Sequence, residues 1–222
     1  MKKLLLGIAA VCLAGFTFAQ DAPLWMRHSV ISPDGTTIAF TYKGDIYTVP
    51  VAGGRAMQIT TNPAYDTAPV WSPDSKRIAF ASDRMGSLDV YIVAKDGGEP
   101  RRLTTHSGSE TPLAFTDAGH VLFSAGIMPS AEAVVFPSNG QFNQVYRVSV
   151  EGGRPTMISS MPMECISINK EGAMLYQDKK GYEDYWRKHH VSPIARDIWM
   201  YTPGKEPQYR QLTTFGGEDR EP

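Results

Sequence analysis

Short bursts of alternating apolar and polar residues run along nearly the whole chain, and the bursts recur. Val30-Ile31 leads into the polar turn Ser32-Pro33-Asp34-Gly35, and Ile38-Ala39-Phe40 follows. About forty residues later Val70-Trp71, Ser72-Pro73-Asp74-Ser75 and Ile78-Ala79-Phe80 repeat the arrangement. Altered copies of the turn stand at Thr116-Asp117-Ala118-Gly119 and Asn169-Lys170-Glu171-Gly172. In such a turn proline presets the first dihedral, aspartate bonds the backbone ahead and glycine accepts positive φ, so each copy predicts a hairpin between two strands.

A third strand is predicted where apolar and polar residues alternate about an aromatic residue: Asp45-Ile46-Tyr47, Asp89-Val90-Tyr91, Gln144-Val145-Tyr146 and Asp197-Ile198-Trp199. Glycine turns follow at Gly53-Gly54, Gly97-Gly98, Gly152-Gly153 and, altered, Gly204-Lys205. A fourth strand then ends in Ile59-Thr60-Thr61, Leu103-Thr104-Thr105, Ile158-Ser159-Ser160 and Leu212-Thr213-Thr214. Four short antiparallel strands per unit of about 40 to 45 residues predict an all-β fold, a β-propeller with four blades. The blades are expected at about 27–61, 67–105, 111–160 and 164–214, with insertions near 127–143 and 179–196. Such a unit buries its faces only by stacking on neighbours. Four blades lie at the bottom of the range for a closed ring, so the expectation is an incomplete six-bladed ring, with a self-closing four-bladed ring as the alternative.

The first nineteen residues change the compartment. Lys2 and Lys3 precede the apolar run Leu4 to Leu13, and Thr17-Phe18-Ala19 offers small residues for cleavage, the pattern of a secretory signal peptide. No later segment has the roughly 20 apolar residues of a membrane-spanning helix, so the mature chain is expected to be periplasmic or secreted. With 22 basic and 23 acidic side chains the net charge is −1, and loss of the two leader lysines makes it more negative. This gives no drive toward nucleic acid. Cleavage also removes Cys12 and leaves Cys165 alone, expected to be a small buried residue on a strand.

Candidate chemistry is sparse. Nucleophilic catalysis needs a serine or cysteine beside an oriented base. The serines fall chiefly in turns and strand ends, there is no Gly-x-Ser-x-Gly elbow, and the histidines are scattered at His28, His106, His120, His189 and His190. No catalytic residue is assigned. The adjacent His189 and His190 would face opposite sides of a strand, and no spacing supports a metal site or calls for a cofactor. Arg187, His189, His190 and Arg196 form a basic group in the second insertion that can meet a peptide carboxylate. Glu183, Asp184 and Asp197 beside it can instead neutralise it within a structural loop. Asp45, Asp89 and Asp197 are expected to bond neighbouring turns, and Tyr47, Tyr91, Tyr146 and Trp199 to pack between blades.

The string Val70-Trp71-Ser72-Pro73-Asp74-Ser75-Lys76-Arg77-Ile78-Ala79-Phe80-Ala81-Ser82-Asp83-Arg84, with Asp89-Val90-Tyr91 and Leu103-Thr104-Thr105, resembles the repeat of TolB-like propellers. That repeat occurs in the Tol-Pal periplasmic protein, in prolyl-oligopeptidase-type peptidases and in tricorn-type peptidases. The first repeat starts close to the expected mature end, and the segment Tyr182 to His190 with Arg196-Asp197-Ile198-Trp199 resembles an insertion of secreted bacterial tricorn homologues. The tricorn resemblance implies a non-catalytic propeller that gates or routes peptides or unfolded protein. It further implies downstream PDZ and serine peptidase domains of the same parent chain, and possible homo-oligomerisation. A Tol-Pal-type binding scaffold and a prolyl-oligopeptidase propeller are the alternatives.

Overall fold

The computed structural model describes residues 25–126, 143–180, 194–206 and 208–222. The proposed leader and most of both insertions lie outside the described residues. Sixteen strands form four antiparallel four-stranded sheets, each assembled from strands consecutive in sequence. The first holds β1 (Arg27–Ile31), β2 (Thr37–Tyr42), β3 (Asp45–Pro50) and β4 (Met57–Gln58). The second holds β5 (Asp66–Trp71), β6 (Arg77–Ser82), β7 (Asp89–Ala94) and β8 (Arg101–Arg102). The third holds β9 (Glu110–Asp117), β10 (His120–Ala125), β11 (Gln144–Ser149) and β12 (Thr156–Ser159). The fourth holds β13 (Met163–Ile168), β14 (Met174–Asp178), β15 (Ile198–Thr202) and β16 (Gln208–Gln211). These are the expected blades.

The repeated turns close as their residues dictate. Ser32 Oγ donates to Asp34 Oδ1 at 2.6 Å and accepts the Thr37 N–H at 3.0 Å. Ser72 Oγ does the same with Asp74 at 2.6 Å and Arg77 N–H at 2.9 Å. The Ser32 hydroxyl, then the Thr36 N–H and hydroxyl, hold the Asp34 carboxyl down at about 2. Where the first copy has Gly35 at φ 73, the second has Ser75 at φ 58. Ser75 gains something from that costly conformation, since its Oγ accepts the Asp34 N–H of the preceding blade at 3.1 Å. Asn169 alone does both jobs in the fourth copy, its Oδ1 accepting the N–H groups of Glu171 and Ala173. The third copy departs from the others: Asp117 pairs directly with His120, leaving a two-residue loop.

The sheets stack through a small-against-large rule. Ala39, Ile46 and Ile59 of the first blade meet Trp71, Ile78, Phe80 and Tyr91 of the second. Ala79, Val90 and Ile92 of the second then meet Val121, Phe123 and Tyr146 of the third. Leu122 and Val145 of the third meet Met174, Tyr176 and Tyr201 of the fourth. Of the recurrent third-strand aromatics, Tyr91 and Tyr146 are buried between blades and Trp199 packs partly buried against the last seam, whereas Tyr47 faces outward from the first blade. In the first three blades they stack on the facing phenylalanine: Phe40–Tyr47, Phe80–Tyr91 and Phe123–Tyr146, with ring centroids 5.7–5.9 Å apart. The two outermost faces, with Ile38 and Tyr47 at one end and Leu175 and Met200 at the other, are only half-buried.

The fourth strands are shorter than the sequence suggests, because the Ile-Thr and Leu-Thr pairs leave the ladder to make a joint. Ile59, Leu103 and Leu212 each donate N–H to the carbonyl of the second residue of the third-strand motif, at 2.8 Å. The next threonine turns back, and Thr60, Thr104 and Thr213 Oγ1 accept the N–H of Ile46, Val90 and Ile198 at 2.9–3.0 Å. The chain then crosses to the next blade, where Asp66 and Glu110 donate N–H to the carbonyls of Gly44 and Leu88, and after the fourth blade Asp219 donates likewise to the carbonyl of Arg196.

Enlarging the small partner tests the packing rule. Ala79 is fully buried against the third blade, so Ala79→Leu is expected to cost about 1–3 kcal/mol by overpacking. Phe123→Ala on the opposite side should cost about 3–5 kcal/mol through the cavity it leaves. Urea unfolding followed by circular dichroism measures both, and a neutral Ala79→Leu would contradict the interdigitation.

Candidate functional site

The first strands β1, β5, β9 and β13 contact one another in succession, so they form the inner wall of the stack. A cavity of about 640 Å³ opens between them, and its lining comes from these four strands and the turns that follow them. Ile31, Val70, Trp71, Leu113, Ile166 and Ile168 supply most of its apolar surface, while Asp117 and Lys170 bring opposite charges to its rim. Such a concave, largely apolar wall suits apolar side chains of a ligand that carries polar groups at its ends. Neighbouring residues from both faces of a strand, such as Val30 with Ile31 and Val70 with Trp71, line this space. The cavity was not anticipated from the sequence, and its only sequence signal was the apolar character of both faces of each first strand.

Each inner strand carries an irregularity in register. It falls between Arg27 and Val30, Thr67 and Val70, and Glu164 and Ser167. The residue four before the turn serine or its equivalent takes positive φ: His28 at 50°, Ala68 at 51° and Cys165 at 51°. In β9 the same position is Pro112, whose ring forbids that conformation, and the irregularities there fall opposite positions in β10. The bulge corrects the expectation for Cys165, which is exposed rather than buried. An extra residue rotates the side chain out of the sheet, which a strict period of two does not register. Partial desolvation, then the Glu164 and Glu221 carboxylates, raise its thiol pKa and lower its nucleophilicity at neutral pH.

The histidines and acids singled out in the sequence are held apart by structural duties. His28 Nδ1 lies 3.1 Å from Thr67 Oγ1, His106 Nδ1 accepts the Gly108 N–H, and His120 pairs with Asp117 at 3.0 Å. Asp45 accepts the Thr60 hydroxyl and Asp89 binds Arg102 at 2.9 Å, so both tie the third strand to the fourth rather than to a turn. Asp197 binds Lys180. Asp83 Oδ1 accepts the Tyr65 N–H at 2.8 Å. Arg84 reaches the fully buried Asp66 through both carboxylate oxygens at 3.0–3.1 Å. Both of those bonds come from Nη2, while Nε donates to Ser82 Oγ and the guanidinium lies 4.6 Å from the centroid of the Tyr91 ring, a spread of contacts that lysine does not reproduce.

Of the basic group proposed to meet a carboxylate, Arg187, His189 and His190 lie outside the described residues. Arg196 stands at the foot of the second insertion, largely buried, between Glu164 and Glu218 at 3.5 Å each. Its backbone carbonyl accepts the Asp219 N–H.

Radially stacked four-stranded sheets around a common inner wall define a β-propeller. Residues 23–222 match the model of the tricorn protease N-terminal beta propeller domain, and the chain belongs to that family. The Streptomyces coelicolor tricorn protease homolog 1 is 25% identical over 180 residues, which are 81% of this chain and 16% of that protein. The chain thus spans about a sixth of that relative's length. The crystal structure of the tricorn protease aligns over 89% of this chain and 19% of its own, with a TM-score of 0.66 at 18% identity. A putative TolB from Agrobacterium tumefaciens aligns over 87% of this chain and 69% of its own, with a TM-score of 0.60 at 21% identity. At these identities the two structures speak for the fold.

Replacing Arg84 by methionine should strand the Asp66 carboxylate in the seam and cost about 3–5 kcal/mol, while Asp66→Asn combined with Arg84→Met should cost clearly less. A double-mutant cycle on thermal stability reads the difference. Additive losses would mean that the pair acts as two independent residues.

Proposed function

We propose that this chain is the non-catalytic propeller segment of a tricorn-like serine peptidase. It admits peptides or partly unfolded protein along its inner wall and routes them to PDZ and peptidase domains of the same parent chain, in the periplasm or outside the cell. The observation that carries this reading is the apolar cavity ringed by four first strands. An unstructured segment offers apolar side chains that gain roughly 25 cal/mol for each Å² withdrawn from water, a term that asks for no fixed sequence and no cofactor. The family supports the peptidase connection. The turn serines Ser32 and Ser72 are each committed to a neighbouring aspartate, which suits a scaffold.

Arg187, His189, His190 and Arg196 are proposed to capture a peptide carboxylate beside this path. Arg196, held between Glu164 and Glu218, would anchor the foot of this group. A second reading, a TolB-like scaffold that binds folded envelope proteins, is favoured by the likeness to the Agrobacterium structure.

Fluorescence anisotropy with a labelled, unstructured peptide rich in apolar residues tests both readings. The expected result is saturable binding without cleavage, weakened about tenfold or more by Ile168→Glu, since burying an unpaired charge in the cavity is costly. Binding of folded proteins alone would favour the scaffold reading. Turnover blocked by serine-directed inhibitors would overturn the non-catalytic assignment.

A further inference from the structure

The four joints between third strand, fourth strand and the next blade occupy one repeat position, and their chemistry can be compared directly. At the first seam Asp45 and Asp66 share the position with Thr60, and Arg84 neutralises Asp66. At the third, the corresponding Gln144, Ser159 and Met163 carry no charge. At the last, Lys180 binds Asp197, while Asp219 at the position of Glu110 is only partly buried and has an Oδ2 without a hydrogen-bond partner among the described residues. At the second seam one cation again faces two acids, but here both acids, Asp89 and Glu110, are fully buried. Arg102 is spent on Asp89, with its Nε donating to the Thr104 carbonyl. Among the described residues neither oxygen of Glu110 has a hydrogen-bond partner of good geometry, although the Thr104 hydroxyl bears on it.

The sequence explains the deficit. Arg84 comes two residues after β6 ends at Ser82, which pairs with Asp66. Glu110 pairs with Ala125 at the end of β10, and two residues later the chain has Ile127.

We propose that the seam between the second and third blades is a proton-operated latch, closed while Glu110 holds its proton and loosened when it becomes a carboxylate. A buried carboxylate without a partner is the costly form, and a protonated one is tolerated at this fully buried position, paired across the ladder with Ala125. The groups bearing on it are Asp89 of β7, which opposes its ionisation, and Arg102 and the Thr104 hydroxyl at the end of the fourth strand, which favour it. His106 acts on Asp89 from the same loop. Burial first, then Asp89, push the Glu110 carboxyl from 4.5 up to about 7. The folded value exceeds the unfolded one, so the folded seam holds an extra proton between these limits. Its stability is full at the acid end and falls as pH rises toward about 7.

Hydrogen–deuterium exchange of the full chain at pH 5.5, 7 and 8.5, corrected for intrinsic exchange rates, reads the latch. Opening of β9 amides should rise about tenfold per pH unit up to neutrality and then level off. Amides of β5, where Arg84 serves Asp66, should stay flat and act as the internal control. Glu110→Gln, isosteric with the protonated acid, should abolish the rise. Asp89→Asn should make it level off at lower pH. A flat β9 profile in the unaltered chain, an equal rise in β5, or a rise that survives Glu110→Gln would each overturn the latch.

Discussion

A four-stranded sheet with apolar residues on both faces cannot stand alone in water, and this constraint organises the molecule. The alternation of Ile, Ala and Phe in the second strand resolves it locally. Alanine leaves a hollow on one face, and the flanking isoleucine and phenylalanine form a ridge on the other. Each ridge enters the next hollow, so every blade is both a filler and a receptacle. The aromatic stacks, such as Phe80 on Tyr91, stiffen the ridge before it is inserted. Identity of the apolar residue matters less than this asymmetry of size, which is why Leu122 can replace alanine when the facing blade presents methionine and tyrosine.

Apolar stacking alone would let neighbouring blades slide. The polar joints at the crossover fix the register, because a threonine hydroxyl must meet one particular third-strand N–H and the next blade must enter through one particular carbonyl. Buried hydrogen bonds of this kind add modest net energy but penalise every misaligned alternative with an unpaired group. Charge at these joints is handled differently in each seam, from the Arg84–Asp66 pair stacked on Tyr91 to the uncharged Gln144, Ser159 and Met163 of the third seam. The seams therefore differ in how they respond to solution conditions, although they share one geometry.

The inner wall is a consequence of the same geometry. First strands must sit closest to the axis, and their bulges turn His28, Ala68 and Cys165 out of the sheet at equivalent places. What remains between them is an apolar hollow whose lining no single repeat specifies. Such a surface is concave and mostly apolar, and all four blades share in making it. Membership in the tricorn N-terminal propeller family accords with a scaffold of this kind.

The blade plan was legible in the residues, because turns, strand alternation and third-strand aromatics are local: a Ser-Pro-Asp-Gly phrase closes through its own side chains, and Tyr91 declares its partner by position. Four features escaped. Cys165 was read as buried because a period of two has no place for a bulge. The Ile-Thr ends were read as strand because their departure depends on a carbonyl in another strand. The cavity and the uncompensated Glu110 were invisible because each depends on what four separate repeats fail to supply. Sequence determined the unit and its two unequal faces; the tertiary structure decided which acids found a cation and which surfaces enclosed a space, since the ion pairs join different strands and the turns beside them and the cavity joins different blades, whose spacing no local pattern states.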